Sequence, residues 1–450
     1  MHITVIGSGF VGLVAGACLA DFGMQVTCAD IDEGKIRQLQ GGKVPIYEPG
    51  LEELIHRGLS QKRLTFSHDL KKSVQDCLVI FIAVGTEPRP DGRANLDHVR
   101  DVSQTIGRHM NDYKVVVIKS TVPVGTAEQV TEWIRGAQSQ PRDFDVVSNP
   151  EFLREGAAVE DFMHPNRVLL GCNNPRALAI IKDIYRPLYL LETPFVVTDN
   201  RTAELVKYAT NAFLAVKISY INEIARLCDR VGSDVHLIAK ALGLDGRIGS
   251  KFLHPGPGFG GSCLPKDTRA FLKTFEDFGL KNHVVEAAVE VNRGQLTEIT
   301  QKLARELGSL RNRKLCLLGL SYKPNTNDVR ESPALKLCEA FLKAGARVRA
   351  FDPVAIDSTR AVIRSPKLSF AKNAFDAAAG ADATIVATEW NEFRNLDLGK
   401  LKSSMSGDVL LDARNVYDPA AASALGFRYL GVGRAAAVPV SKRVKATAAR

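Results

Sequence analysis

HITVIGSGFVGLVAGACLADFGMQVTCAD, residues 2–30, decides the fold. Its opening HITVI reads as a strand that is apolar and β-branched without strict alternation, as in a sheet buried on both faces. Gly7-Ser8-Gly9-Phe10-Val11-Gly12 follows at once and opens a helix running through Leu13 to Asp21. In such a turn the first glycine allows the tight bend, the second lets backbone approach a diphosphate, and the third lets helix pack closely on strand. The free N–H groups of the helix start complement phosphate charge. The next strand, MQVTCAD, ends in Asp30, 18 positions past Gly12, near the spacing at which an acid accepts hydrogen bonds from an adenosine ribose. A dinucleotide-binding domain is expected. The charge of Asp30 would repel the extra phosphate of NADP, so the expected dinucleotide is NAD. The plainer role for Asp30 is a cap or turn acid, and Lys35 either covers the same ribose or lies on the surface.

The rhythm continues outward. CLVIFIAVGT (77–86), KVVVIKST (114–121) and FDVVSNP (144–150) are further apolar strands separated by helical stretches, which implies a parallel sheet covered by helices. From Thr202 to about Arg230, Leu205, Tyr208, Ala209, Ala212, Phe213, Val216 and Tyr220 recur at helical spacing and predict a long connecting helix. The Gly/Pro-rich LHPGPGFGGS (253–262) precedes more helix, to about Leu307. A second alternating series then runs through KLCLLGLSY (314–322), ARVRAFDP (346–353), ADATIVATE (381–389) and DVLLDARN (408–415). Both series show a strand followed by glycine and a second strand ending in an acid, Asp30 or Asp352. The expected fold is α/β: two Rossmann-like doubly wound parallel-sheet domains joined by a helical central domain with a long connecting helix. The expected boundaries are 1–198, 199–308 and 309–434, with 435–450 a basic, disordered tail.

Composition bounds the rest. A chain of 450 residues exceeds what one core ordinarily organises, and 45% hydrophobic with 24% charged residues is globular composition. The strand at residue 2 leaves no room for a secretion signal, and no apolar run reaches the ~20 residues of a membrane helix. Eight cysteines lie at 18, 28, 77, 172, 228, 263, 316 and 338, without a CxxC pair or His/Cys cluster, so free thiols, a cytoplasmic setting and no metal are expected. The net charge of +9 suits nucleic acid, anionic lipid or a small phosphorylated ligand equally. Lys442, Arg443, Lys445 and Arg450 supply part of it in the tail, but no basic stripe with interleaved aromatics accompanies them, so no nucleic-acid or membrane partner is expected.

The chemistry points to Cys263. It lies in a small-residue loop, Gly260-Gly261-Ser262-Cys263-Leu264-Pro265-Lys266-Asp267, unlike Cys18, Cys28, Cys77 and Cys316 in apolar segments. Such a loop gives a substrate access to sulfur, and Lys266 would favour the thiolate. Asp267 would share a helix face with Cys263 and orient water or carry protons. An incidental cysteine remains the alternative. Lys207 and Asn211 are spaced i, i+4 and could face one developing oxyanion or simply form a solvated face. Thr121 and Glu151 follow strands of the first domain, where ligands of open parallel sheets bind, though either could cap the next helix.

At GFGGSCLPKD (258–267), ELVKYATNAFLA (204–215), NPEFLREG (149–156), STVPVG (120–125), YKPNTNDVRES (322–332) and RIGSKFLHPGPGFGG (247–261), the chain resembles the UDP-glucose/GDP-mannose dehydrogenase family, and within it the UDP-glucose 6-dehydrogenase branch. The likeness runs from residue 1 to about 430. It implies NAD-dependent, four-electron oxidation of the C6 alcohol of UDP-glucose to the carboxylate of UDP-glucuronate. Cys263 would be the nucleophile that holds the aldehyde as a thiohemiacetal and then as a thioester. It implies oxyanion stabilisation by Lys207 and Asn211, water activation and proton transfer by Asp267, and thioester hydrolysis assisted by Thr121 and Glu151. Gly7, Gly9, Phe10, Val11, Gly12, Asp30, Lys35, Gly85, Thr86, Ser120, Thr121, Glu155, Lys266 and Arg330 would hold the cofactor. Glu151, Phe152, Leu153, Lys207, Asn211, Phe252, Leu253, Gly258, Phe259, Gly260, Tyr322, Lys323 and Arg414 would hold the nucleotide sugar. Arg247 would reach a neighbouring subunit's site, which implies a homodimer or larger homo-oligomer. Tyr322 stands where phenylalanine is frequent and Leu264 where another apolar residue is often found; neither touches the chemistry. The rivals are a GDP-mannose 6-dehydrogenase and an NAD-binding scaffold without catalysis, the latter disfavoured because Cys263, Lys207, Asn211 and Asp267 are all present.

Overall fold

A computed structural model of the chain describes residues 1–434; the basic tail expected over 435–450 lies outside the described residues. Met1–Asn211 with Arg269–Lys281 form one compact unit, and Ala212–Thr268 with the described residues from Asn282 onward form the other.

The first unit is built on β1 (His2–Ile6), β2 (Gln25–Ala29), β3 (Leu64–Ser67), β4 (Val79–Ile82), β5 (Lys114–Ile118), β6 (Phe144–Ser148), β7 (Val168–Gly171) and β8 (Phe195–Thr198). They form one sheet in the order β3-β2-β1-β4-β5-β6-β7-β8. The first six strands are parallel; β7 meets β6 antiparallel at Ser148 and Gly171, and β8 runs parallel to β7. The order of the first six is that of doubly wound nucleotide folds, which bind ligands at the carboxyl ends of the strands where the order reverses, beside β1 and β4. Both faces are apolar because successive side chains point to opposite sides. Val79, Phe81, Val115 and Val117 join one core, and Ile80, Ile82, Val116 and Ile118 join the other. Helices cover both, which is why the strands read as continuous apolar runs.

The second unit repeats this plan with β9 (Lys314–Leu318), β10 (Arg347–Phe351), β11 (Leu368–Phe370), β12 (Ala383–Val386), β13 (Val409–Asp412) and β14 (Arg428–Gly431). All pairs are parallel and the order is β11-β10-β9-β12-β13-β14. Leu315 and Leu317 enter one core, Cys316 and Leu318 the other. The shared layout of the two sequence halves is thus a shared strand order. The long helix expected from Thr202 runs Asn200–Val231; the helix after the cysteine loop runs Leu264–Asp277. No helix among the described residues is long and apolar enough to cross a membrane.

The acid that ends the second strand of each series performs the same task. Asp352 is buried, and its carboxylate accepts from the N–H groups of Leu320 and Ser321 at 2.8 and 3.1 Å and from those of Val354 and Ala355 at 3.0 and 2.9 Å. The Trp390 indole N–H adds a bond of 3.2 Å. The turn after β9 therefore hangs on one side chain. Asp352→Ala would leave these buried donors unpaired, and we expect a loss of about 3 kcal/mol or more. The midpoint of urea unfolding, followed by Trp390 fluorescence, checks it.

Candidate active site

In the first unit the glycine turn forms a cradle. Gly7 has φ of 105° and a Cβ there would lie 2.7 Å from the Ala83 carbonyl oxygen, while a Cβ on Gly12 would lie 1.8 Å from the carbonyl oxygen of Gly7. A Cβ on Gly9 would meet nothing within 4 Å, so open space faces the start of the helix Phe10–Asp21, whose first turn holds half-buried Phe10 and Val11. Ser8 Oγ is buried and finds no partner among the described residues. An orphaned hydroxyl beside open space and a helix N-terminus fits a bound diphosphate.

Asp30 accepts from the Ser8 N–H at 2.8 Å, from the Asp32 N–H at 3.0 Å and from the Lys35 ammonium at 3.0 Å. Burial works against its charge, but the Asp32 N–H, Lys35 and the Ser8 N–H outweigh it and hold the carboxyl below its usual range. Lys35 is therefore paired with the acid at the cradle's rim. The loops after β4 and β5 are tied together: Thr86 Oγ1 donates to the Thr121 carbonyl at 2.8 Å and Ser120 Oγ to the Val84 carbonyl at 2.7 Å. Gly85, between them, has open space where a Cβ would stand.

Lys207 and Asn211 are 3% and 7% exposed, which excludes a solvated helix face. Lys207 Nζ donates to the Glu151 carbonyl oxygen at 2.7 Å and to its carboxylate at 3.0 Å, across 56 positions of sequence. The other carboxylate oxygen of Glu151 accepts from the Leu153 N–H at 2.5 Å, so it orders its own loop and caps no helix. The Phe152 ring centre lies 5.2 Å from the Lys207 ammonium. Glu155 is buried further along this loop.

In the second unit Cys263 is partly exposed, whereas the other seven cysteines of the chain are buried. Burial pushes the thiols of Cys28, Cys316 and Cys338 up to about 12. Cys263 stands where the helix Leu264–Asp277 begins, its carbonyl accepting from the Asp267 N–H at 2.8 Å. A helix N-terminus favours thiolate. Ser262 Oγ lies 3.5 Å from the sulfur. The Lys266 ammonium binds the Asp267 carboxylate at 2.6 Å, and Asp267 is 1% exposed.

The loop ahead of the cysteine is strained and tightly held. Phe252 has φ of 66°, a left-handed conformation costly for a bulky residue, and Leu253 and Phe259 are buried. Asn292 brackets Phe259, accepting from its N–H at 2.7 Å and donating to its carbonyl at 3.1 Å. Asn222 accepts from the Gly256 N–H at 2.8 Å, and Gln295 donates to the Gly256 carbonyl at 2.9 Å. A Cβ on Gly258 would collide with Asn292, and one on Gly260 with the Glu331 carbonyl at 2.3 Å. Tyr322 packs against Gly261, and the Lys323 ammonium lies 5.4 Å from its ring centre. Arg414 donates to the carbonyls of Ala387 at 2.9 Å and Tyr322 at 3.0 Å and pairs with Glu389. Arg330 and Arg247 are exposed and each clasps the acid two residues before it, Asp328 and Asp245. Among the described residues no group of three or more His, Cys, Asp or Glu is arranged for a metal.

Several residues that build these loops carry no motif. Asn222, Asn292 and Gln295 are single amides on helices. Glu48 accepts from the N–H groups of Gly156 and Ala158 at 2.5 and 2.7 Å, and Glu204 from those of Gly125 and Ala127 at 2.7 and 2.8 Å. Glu204 lies one helical turn before Lys207 and pins the loop that carries Thr121. Its only sequence signal was an acid inside an apolar helix.

Comparison with known proteins places these features in context. Domain models of the UDP-glucose/GDP-mannose dehydrogenase family match in order: the NAD binding domain over residues 1–189, the central domain over 201–294 and the UDP binding domain over 316–419. A UDP-glucose 6-dehydrogenase of Rhizobium meliloti is 49% identical, covering 96% of this chain and 100% of that protein. One from Bacillus subtilis is 44% identical, covering 96% and 93%. The solved structure of a UDP-glucose dehydrogenase from Pyrobaculum islandicum is similar with a TM-score of 0.89 at 39% identity, covering 96% of this chain and 98% of that one.

Glu204 makes a pH-dependent contribution. Burial pushes its carboxyl up to about 7, against the lowering effect of the Gly125 and Ala127 N–H groups. For an acid raised in this way, stability is full below its unfolded value and falls as pH rises toward 7. Glu204→Ala removes both the bonds and this dependence. We expect it to cost about 2 kcal/mol at pH 5 and less at pH 8, read from amide exchange at Gly125 and Ala127.

Proposed function

The chain belongs to the UDP-glucose/GDP-mannose dehydrogenase family, and from that membership we propose that it oxidises UDP-glucose to UDP-glucuronate in two steps with NAD. Residues 1–198 would bind NAD, 199–308 supply the cysteine loop and 309–434 bind the UDP-sugar. The observation that carries the reading is Cys263: a partly exposed thiol at a helix start, in a chain whose other cysteines are buried.

NAD, when bound, accepts hydride. Everything else falls to the chain's own side chains. Lys207 and Asn211, buried and fixed on one helix face, stabilise the C6 oxygen as it loses its proton. Cys263 adds as the thiolate to the aldehyde carbon, the oxygen regaining the proton that the alcohol gave up to Asp267, and the thiohemiacetal so formed cannot escape half-oxidised. Loss of the second hydride, with the hydroxyl proton passing again to Asp267, leaves a thioester. Thr121, Glu151 and Asp267 orient the water that attacks it, expelling the thiolate and releasing the acid. Ser120, Glu155, Lys266 and Arg330 complete the cofactor's surroundings; Phe152, Leu153, Phe252–Gly260, Tyr322, Lys323 and Arg414 receive the nucleotide sugar.

A homodimer or larger assembly is part of the proposal. Phe213, Tyr220 and Leu227 recur every seven residues on the helix Asn200–Val231 and, with Val231, are exposed, an apolar stripe suited to a second copy. Arg247 would reach the neighbouring subunit's site from an exposed position. Free cysteines suit a reducing cytoplasm.

Purified protein given NAD and a panel of UDP- and GDP-sugars should form two equivalents of NADH per UDP-glucose; preference for GDP-mannose would overturn the substrate assignment. Cys263→Ser should lower acid formation by about a thousandfold or more while NAD binding persists. Asp30→Ala should narrow the preference for NAD over NADP, measured as the ratio of kcat/KM values, because the charge that repels the additional phosphate is gone.

A further inference from the structure

A second buried lysine stands behind the Glu151–Lys207 pair. Lys119 follows β5 and is 5% exposed. Its ammonium donates to Asn149 Oδ1 at 3.1 Å and to the Tyr185 hydroxyl at 3.4 Å, and Tyr185 donates to the same Asn149 oxygen at 2.6 Å. The rings of Phe162 and Tyr185 each lie 5.8 Å from the ammonium. Asn149 Nδ2 donates to the Leu169 carbonyl at 2.9 Å, so the amide is locked on both sides. Glu151 comes two residues later. Lys119, Asn149 and Glu151 line one cavity of about 60 Å³, room for several waters.

The atoms that hold Lys119 are neutral: an amide oxygen, a hydroxyl and two ring faces. Such a seat offsets little of the cost of burying an ammonium, and an apolar side chain of the same length would fill the space more cheaply. The charge is therefore in the wrong place for stability and in the right place to act on its neighbours.

We infer that Lys119 is a positioning residue for the Glu151–Lys207 pair: anchored on Asn149 and lining the same cavity as Glu151, its buried charge holds the loop after β6 so that Glu151 stays bound to Lys207. This rests on the proposed roles of Glu151 and Lys207. The groups facing Lys119 are Glu151 on the loop after β6, Lys207 on the long helix, Tyr185 after the helix Pro175–Ile184, Asp161 on the helix Ala158–Met163 and Arg167 ahead of β7. Asp161 is taken by Arg154, and burial pushes the Tyr185 hydroxyl far up, so it keeps its proton. Burial brings Lys119 itself down to about 8, with Glu151 resisting and Lys207 assisting. Below that pH its charge acts on Glu151; above it the charge is lost.

The test compares wild type with Lys119→Met and Lys119→Gln from pH 6 to 10, following NADH formation from UDP-glucose, thermal unfolding and amide exchange at Leu153, whose N–H the Glu151 carboxylate holds. Both variants should unfold at or above the wild-type temperature, because a buried charge has gone. Exchange of the Leu153 N–H should quicken about tenfold in both variants as the Glu151 carboxylate that holds it loosens. At pH 7, kcat should fall about tenfold as Glu151 is held less firmly on Lys207, with KM for UDP-glucose unchanged. Above pH 8 the deficit should shrink, since wild-type Lys119 is then neutral too. Unchanged exchange at Leu153 overturns the inference, as does loss of folding in both variants, which would make Lys119 structural. Should wild type ignore UDP-glucose, the functional reading fails, and exchange at Leu153 still decides the role of Lys119.

Discussion

Where a parallel strand ends, its backbone leaves the ladder and the N–H groups of the following loop lose their partners. In this protein carboxyl groups, most of them buried, take them over. Asp30 receives Ser8 and Asp32; Asp352 receives Leu320, Ser321, Val354 and Ala355; Glu204 receives Gly125 and Ala127; Glu48 receives Gly156 and Ala158; Glu151 receives Leu153. Backbone donors cannot be left orphaned in a dry interior, and an ionised acid satisfies two of them at once. The loops at the sheet's carboxyl ends, where ligands of such folds bind, are fixed by this means.

The same device has an electrostatic consequence. A carboxylate placed among N–H groups and desolvated neighbours also attracts buried cations, and two lysines answer. Lys207 binds Glu151 directly, while Lys119 is held by neutral atoms nearby. The chain's excess of positive charge is thus not only a surface property. Part of it is committed to the interior of the first unit, and Arg414 and Lys323 in the second stand beside Tyr322.

Cysteine usage follows from the same contrast between dry and wet surroundings. Cys28, Cys316 and Cys338 sit among apolar side chains that suppress ionisation, whereas Cys263 sits at a helix start with Ser262 Oγ beside it. One sulfur is left in a setting that favours its reactive form.

The sequence by itself determined both sheets, because apolar runs and glycine turns are local signals: HITVIGSGFVG and KLCLLGL state strand and turn within a dozen residues. It also singled out Cys263, Lys207, Asn211 and Glu151 as candidates, but left Lys207 and Asn211 undecided between a wet face and a site. Only the tertiary structure decided that, by burying both and bringing Glu151 to Lys207 across 56 positions. It alone found Lys119, Glu48, Glu204, Asn222 and Asn292, whose partners lie far away in sequence. Periodicity records which face of an element is buried, whereas a hydrogen bond between a helix and a distant loop depends on where the chain has been folded, and no local pattern encodes it.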